Sequence, residues 1–170
     1  VVRNRGNKAE QAEPKGSDGI LGFIHDMGGH IYWWMAHPTK YFQTNPEFFS
    51  YSKLRKERVP ETLCVTAPGL IDVAVKNLAD RIEKGGGEKV ESFGIGFRDS
   101  WLCCQCDECT APIPLKDGSV LECKSLNPEH DPKYYSTRFW LFISEIAKRL
   151  KVIYPKMKFI GSGYMYAAEP

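Results

Sequence analysis

VESFGIGFRDSWLCCQCDEC, residues 90–109, is the most informative part of the chain. It opens with a mostly apolar run that contains two glycines, which is typical of a strand buried on both faces of a sheet. Asp99 and Trp101 come where this strand should end, and a dense group of cysteines follows at once. Because α/β folds place binding and catalytic residues at the carboxyl ends of their strands, these residues predict a functional site.

Helical patterns lie on both sides of this strand. Apolar residues recur at helical spacing over residues 70–82, with Thr66 as the expected cap and the glycines at 85–87 as the expected end. A second helix is expected over residues 136–154, where Pro155 should stop it.

Strand patterns alternate with these helices. Strands are expected at residues 28–36, 63–66, 89–97 and 158–164; residues 20–24 fit an edge strand or a helical turn, and residues 52–60 an exposed hairpin or loop. This alternation predicts an α/β domain with parallel strands and right-handed crossovers.

The totals limit the size and class of the protein. The chain has 170 residues and 42% hydrophobic content, enough for one core, whereas a complete eight-fold β/α barrel takes about 200–250 residues. A net charge of +2 without a basic stripe argues against nucleic-acid binding, and no apolar run is long enough for a membrane span. We expect a polar lead-in or linker at 1–19 and a domain at 20–170 with an irregular, cysteine-rich loop at 100–133. The chain begins without Met and ends just past a predicted strand, so we expect a fragment of a longer polypeptide.

The cysteines are concentrated in that loop. A Cys-x-x-Cys pair, Cys106 and Cys109, with Cys104 beside it, is a typical half-site for zinc, and Cys123 or His130 can complete the four ligands. We therefore predict a structural zinc site formed by Cys104, Cys106, Cys109 and Cys123. Disulfides, which export would favour, and free thiols remain the alternatives. In each case the cysteines should brace the loop that follows Asp99.

Several short segments of the chain together resemble a known family. They are HIYWWMAHPTKYF at 30–42, NPEFF at 45–49, LCVTAP at 63–68, Asp99 with CQCDEC at 104–109, Phe139, Tyr154-Pro155, and GYMY at 163–166 with Pro170. Over about residues 28–170 they resemble a bacterial family of domains of unknown function, family 4838, which is grouped with the TIM-barrel glycoside hydrolases. The chain departs from the family pattern at Asn45, Ala67 and Arg98, where the family tends to have His, Asn and a polar residue such as Asn.

The resemblance implies a fold and a function. It implies a partial (β/α)8 TIM barrel within a larger secreted, periplasmic or envelope protein that binds and hydrolyses a glycan. Its partners would be a carbohydrate and the rest of its own polypeptide. Asp99 is then the candidate catalytic acid, with Glu169 or a residue outside the chain as the second carboxylate that glycoside hydrolysis needs. Arg98 beside Asp99 should depress the pKa of that carboxyl group.

Aromatic residues near predicted strand ends are the candidate sugar-binding residues, because the C–H faces of sugar rings stack on aromatic rings. The candidates are His30, Trp33, Trp101, Tyr164 and Tyr166. Strand alternation would place Trp33 and Trp34 on opposite faces. The alternative function is a non-catalytic structural or interaction module, braced by metal or disulfides, that keeps a degenerate barrel without its chemistry.

Overall fold

A computed structural model describes residues 23–24, 31–95 and 102–161. These residues form a mixed α/β fold with one parallel sheet and two small antiparallel pairs of strands. The predicted α/β class is confirmed at this level, and no closed barrel exists among the described residues. The lead-in predicted at 1–19 lies outside them.

The helices and strands alternate along most of the chain. In chain order they are β1 (Phe23–Ile24), α1 (Ile31–Met35), α2 (Pro38–Tyr41), β2 (Phe49–Ser52), β3 (Glu57–Leu63), α3 (Leu70–Lys84), β4 (Ser92–Ile95), α4 (Asp107–Thr110), β5 (Ile113–Pro114), β6 (Val120–Leu121), α5 (Pro132–Ile153) and β7 (Lys158–Gly161). None of the helices in the described part of the chain is both long enough and apolar enough to cross a membrane.

The parallel sheet has β4 at its centre, between β1 and β7. Strands are therefore confirmed within the predicted ranges 89–97 and 158–164, at 92–95 and 158–161, and the run at 20–24 contains an edge strand. Phe93 pairs with Phe159 and Ile95 with Gly161, so these four residues share one face of the sheet.

Helices α3 and α5 pack against each other and together supply 11 of the 27 buried hydrophobic residues of the described core. In α3 the buried residues recur every fourth position and α3 ends at Gly85 as predicted, but its N-cap is Gly69 and the predicted cap Thr66 is wrong. Helix α5 begins at Pro132, one turn before the predicted start, because proline suits the first helical position. The buried side chains on α3 are Leu70, Ala74, Leu78 and Ile82, and those on the apolar face of α5 include Phe139, Phe142, Ile143, Ile146 and Leu150.

The strand predicted at 28–36 is wrong, because residues 31–35 form the short helix α1. Met35 and Ala36 are completely buried, while Trp33 and Trp34 are both about 40% exposed, at 39% and 41%. This is not the alternation of a strand. Packing against α3, where the Asn77 side-chain amide donates a hydrogen bond to the Met35 carbonyl at 2.7 Å, outweighs the strand propensity of the aromatic residues.

The short strand predicted at 63–66 also differs from the structure. Its first residue ends β3, which pairs antiparallel with β2 and does not join the parallel sheet. The charged residues at 52–60 form the turn and second strand of this hairpin, which agrees with the expectation of a hairpin there. Strand β3 begins at Glu57 and runs through charged positions to Leu63. A prediction from apolar residues alone therefore starts this strand too late.

Gly161 is required by close packing against α5. A Cβ atom at this position would overlap the indole ring of Trp140. We expect Gly161→Ala to lower the free energy of unfolding by about 1–3 kcal/mol, as overpacking does in cores. Urea denaturation measures this, and the same substitution in a Trp140→Leu background should cost much less. An equal cost in both backgrounds would contradict the packing argument.

Candidate metal centre

Four cysteine thiols meet at the end of the β2–β3 hairpin. They belong to Cys64, Cys104, Cys106 and Cys109, and their sulfur atoms all lie within 4.8 Å of one another. The Sγ atom of Cys64 lies 3.6 Å from Sγ of Cys106 and 3.7 Å from Sγ of Cys109. All six cysteines are free, so no disulfide links them. This group of residues can hold a metal ion.

The turn after β3 positions the first thiol. The Cys64 N–H donates a hydrogen bond to the Phe48 carbonyl at 2.9 Å, and the Cys64 carbonyl accepts one from the Ala67 N–H at 2.9 Å. The turn brings Thr66 to the same place, where its hydroxyl lies 3.0 Å from Sγ of Cys109. The residue expected to cap α3 therefore contacts the thiol cluster instead.

The other three thiols come from one short segment that runs beside β2. The Tyr51 N–H donates to Sγ of Cys104 at 3.2 Å, and the Tyr51 carbonyl accepts from the Gln105 N–H at 2.9 Å. Cys106 then caps α4, and the single helical turn that follows places Cys109 beside it. Hydrogen bonding to the hairpin thus holds the segment in the position that closes the cluster.

The cluster is mostly buried and lies beside one positive charge. Cys64, Cys104 and Cys109 are 2%, 4% and 3% exposed, and Cys106 is half-buried. The Arg58 guanidinium donates to the Phe49 carbonyl at 2.7 Å and lies 3.9 Å from Sγ of Cys104. Burial lowers the pKa of Arg58. The hydrogen bond between Arg58 and Cys64 and the charges of the neighbouring cysteines together raise this pKa above its usual value. A cation is therefore fixed against thiols that bear negative charge when they ionise.

The environment favours ionisation of two of the four thiols. Hydrogen bonds with Cys104 and then Cys109 lower the pKa of Cys64, and a hydrogen bond with Cys109 lowers the pKa of Cys106 to about 6. Hydrogen bonds with Cys104 and Cys106 raise the pKa of Cys109. The pKa values of the four thiols differ because several negative charges cannot lie so close together without a cation. Thiolate is the form that binds metal ions.

The structure brings together three of the four predicted ligands and replaces the fourth. Cys104, Cys106 and Cys109 are in the cluster, but Cys123 is not. Its sulfur lies 3.3 Å from the Ser125 carbonyl oxygen and 3.8 Å from the Tyr135 hydroxyl. Cys64 takes its place, from a position 42 residues before Cys106. His130 lies exposed in a 3-10 turn at 128–130 and is not a member either.

Most of the predicted sugar-binding and catalytic residues lie outside the described part of the chain. These are His30, Asp99, Trp101, Tyr164, Tyr166 and the possible second acid Glu169. Their convergence at one edge of the sheet therefore stays a prediction. Trp33 is described, on α1, with its ring centroid 5.7 Å from that of His37.

The comparisons with known proteins decide the family. A sequence profile with the description "Domain of unknown function (DUF4838)" matches residues 4–170. The chain belongs to this family. Comparison with curated proteins and with solved structures returned no match. The match confirms the resemblance to family 4838, and the description of this DUF4838 family names no activity.

The composition of the cluster can be tested by replacing one cysteine at a time. Cys64→Ser should abolish the tight binding of one equivalent of Zn2+, because it removes one of four ligands. Cys123→Ser should leave the stoichiometry at one. Competition with a chromophoric chelator measures both, and the reverse pattern would show that Cys123 is the fourth ligand.

Arg58 provides a second test. Arg58→Gln should weaken Zn2+ affinity by about 10–100-fold, the range for residues that contact metal ligands, and Arg58→Lys should weaken it less because the charge is kept. Arg55→Gln on the same hairpin is the matched control, since Arg55 pairs with Glu61 and not with a cysteine. Equal Zn2+ affinities for all three variants would show that the charge of Arg58 does not affect metal binding.

Proposed function

We propose that this DUF4838 domain is a metal-stabilised, non-catalytic module in which Cys64, Cys104, Cys106 and Cys109 hold one structural Zn2+. The distances between sulfur atoms carry the proposal. A tetrahedral zinc ion with Zn–S bonds of about 2.3 Å requires sulfurs about 3.8 Å apart. The distances from Cys64 to Cys106 and Cys109 are 3.6 and 3.7 Å.

The number of ligands favours a structural role over a catalytic one. Catalytic zinc sites use three protein ligands and keep the fourth position for water or substrate, whereas structural sites are closed by four. Here four thiols are close enough together to supply all four ligands, and three of them are buried. The chain's own residues would therefore hold the ion and exclude water, and the arrangement favours the non-catalytic alternative.

The donor set favours zinc among the common ions. Thiolates select soft or borderline ions, and a tetrahedral S4 site suits zinc or a single iron ion. A multi-iron cluster requires its cysteines farther apart, because they surround several metal atoms. Zn2+ with four thiolates carries a net charge of about −2, which the neighbouring Arg58 partly offsets. Metal analysis distinguishes zinc from iron.

A bound ion would stabilise the parts of the chain that its ligands connect. A metal that joins Cys64 to Cys106 closes a loop of 42 residues that contains α3 and β4. By the chain-entropy estimate for cross-links, closing such a loop in the unfolded state contributes about 4 kcal/mol to stability. The ion would also fix the hairpin β2–β3 against the segment that contains α4.

The order of the elements supports a partial (β/α)8 barrel as the finer architecture. Within the parallel sheet, the strands β1, β4 and β7 lie side by side in the order in which the chain forms them. The helices α3 and α5, which connect them, pack against each other and so lie on one face of the sheet. Doubly wound folds place helices on both faces, whereas barrel walls place them on one. The face without these helices carries Ser92, Gly94, Lys158 and Ile160.

Removal of the metal tests the proposed function. The Zn2+-bound chain should melt about 10 °C or more above the chelator-treated chain, because ligand at about 1,000 times its Kd adds about 4 kcal/mol and each kcal/mol shifts Tm by about 2–4 °C at this size. Amide hydrogen exchange should rise at residues 49–66 and 102–110 and stay low in the centre of α5.

The matched control is Cys123→Ser, which should show the same difference in Tm as the unmodified chain. Equal melting temperatures with and without chelator, in a chain shown to contain zinc before treatment, would contradict the structural role. Iron in place of zinc would contradict the choice of ion and leave the four-thiol site standing.

A further inference from the structure

The four thiols of the metal centre are not equally accessible to reagents in solution. Cys64, Cys104 and Cys109 are almost completely buried, whereas Cys106, which precedes the short helix α4, is half-buried. A thiolate acts as a nucleophile only where the other reactant can reach its sulfur atom. Access therefore makes Cys106 the first of the four thiols to meet a small electrophile from solution.

Polar groups of the hairpin and of the turn after β3 cover the other three sulfur atoms. The Tyr51 N–H donates a hydrogen bond to Sγ of Cys104 at 3.2 Å. The Thr66 hydroxyl lies 3.0 Å from Sγ of Cys109 and 3.7 Å from Sγ of Cys64. Contacts of this kind occupy the lone pairs that a sulfur nucleophile uses, so they reinforce the effect of burial at these three thiols.

A second thiol lies next to Cys106. Sγ of Cys64 is 3.6 Å from Sγ of Cys106, so small side-chain rotations bring the two sulfur atoms into bonding distance. Both backbones are held by hydrogen bonds, since the Cys64 N–H donates to the Phe48 carbonyl and the Thr110 N–H donates to the Cys106 carbonyl. Two ordered segments of the chain therefore keep these thiols side by side.

The length of the closed loop favours a bond between these two thiols over a bond inside α4. Cys64 and Cys106 are 42 positions apart in the sequence, whereas Cys106 and Cys109 form a Cys-x-x-Cys pair. A cross-link stabilises a fold more when it closes a longer loop. Because thiols and disulfides exchange, the more stabilising bond should accumulate at equilibrium.

We propose that Cys106 is an oxidation site, at which a peroxide attacks the cluster, and that Cys64 then forms a disulfide bond with Cys106 that replaces the metal ion as the cross-link. This inference rests on the proposed structural zinc site, because the bond forms between two of its four ligands. It adds a second, covalent state to that site and names the thiol through which the change begins.

Both chemical steps balance with hydrogen peroxide as the only oxidant. The Cys106 thiolate attacks one peroxide oxygen, the O–O bond breaks, and a sulfenic acid forms while the departing hydroxide takes up a proton from solvent. The Cys64 thiolate then attacks the sulfenyl sulfur, so that the S–S bond forms, the S–O bond breaks and a second hydroxide is protonated to water. The two sulfur atoms lose two electrons, which the peroxide gains. The ion keeps only two of its four ligands and should dissociate.

The disulfide would preserve the connection that the ion makes. It joins the turn after β3 to the segment that begins α4, across the same stretch of chain that contains α3 and β4. The oxidised, zinc-free domain should therefore remain folded. A domain of this kind keeps its cross-link both in a reducing compartment that supplies zinc and in an oxidising one, where disulfides persist.

The experiment uses the full, zinc-loaded and reduced chain in which Cys103→Ser and Cys123→Ser leave only the four thiols of the centre. Hydrogen peroxide is added at one equivalent per chain, and a chromophoric chelator measures the released ion. We expect about one equivalent of Zn2+ to be released, because a site with two ligands missing no longer holds it. The oxidised chain should melt above the reduced, zinc-free chain, since the new bond closes the same loop.

Peptide mapping identifies the bond. Cleavage before aspartate residues separates Cys106 from Cys109, because Asp107 lies between them. The peptide that contains Cys64 should be linked to the peptide that ends at Cys106, while Cys109 stays open to alkylation. Fragmentation should place the bond at Cys106 and not at Cys104.

Two single variants, each compared with the zinc-free parent chain, test where oxidation begins. Cys106→Ser should lose the fast phase of thiol oxidation, and the matched variant Cys104→Ser, which removes a buried thiol of the same cluster, should keep it. Melting temperatures establish that both variants are folded, and the mapping of the parent chain decides the question if either one unfolds.

Three results would each overturn the proposal. They are a Cys106–Cys109 bond as the main product after equilibration in a glutathione buffer, an unchanged fast phase in Cys106→Ser, and retention of Zn2+ while thiols are lost. A chain that binds no zinc would contradict the proposed function instead, and the same mapping on the reduced, zinc-free chain would then still show whether Cys64 and Cys106 form the bond.

Discussion

The spacing of four sulfur atoms is the constraint on which the rest of the structure depends. Thiols buried within 4.8 Å of one another cannot all ionise unless a cation lies among them. The surrounding structure already favours two thiolates and places Arg58 at their side. A divalent ion at the centre would complete this arrangement, because it would compensate the charge and bind all four thiols at once.

The hairpin β2–β3 supplies two of the residues around this centre. Arg58 lies in β3 and Cys64 in the turn that follows it, and the pairing of β2 and β3 shifts between these two positions. A metal ion bound at Cys64 would therefore limit the motion of the end of β3.

The sequence predicts local features of this domain well and distant contacts poorly. The helices α3 and α5 and the strands β4 and β7 have clear periodicity, and Cys104, Cys106 and Cys109 are close in sequence, so their proximity follows from spacing alone. Cys64 joins them only through the pairing of β3 with β2 and of β2 with the segment at Cys104. No local pattern contains that information, although the position of Cys64 at the end of an apolar run was a signal that its thiol would be buried.

The incorrect predictions of local structure also result from contacts between distant parts of the chain. Residues 28–36 have the aromatic composition of a strand, but burial of Met35 and Ala36 against α3 selects a helix. Thr66 has the right residue type to cap a helix, yet α3 begins only at Leu70 and the Thr66 hydroxyl contacts Cys109. In both cases a tertiary contact outweighs a local preference of about 1 kcal/mol or less.

X-ray absorption at the zinc edge of the purified, zinc-loaded chain identifies the atoms that surround the ion. A closed site of four cysteines should give a single shell of four sulfur atoms at about 2.3 Å. A shell that contains nitrogen or oxygen, or fewer than four sulfurs, would contradict a site of this kind.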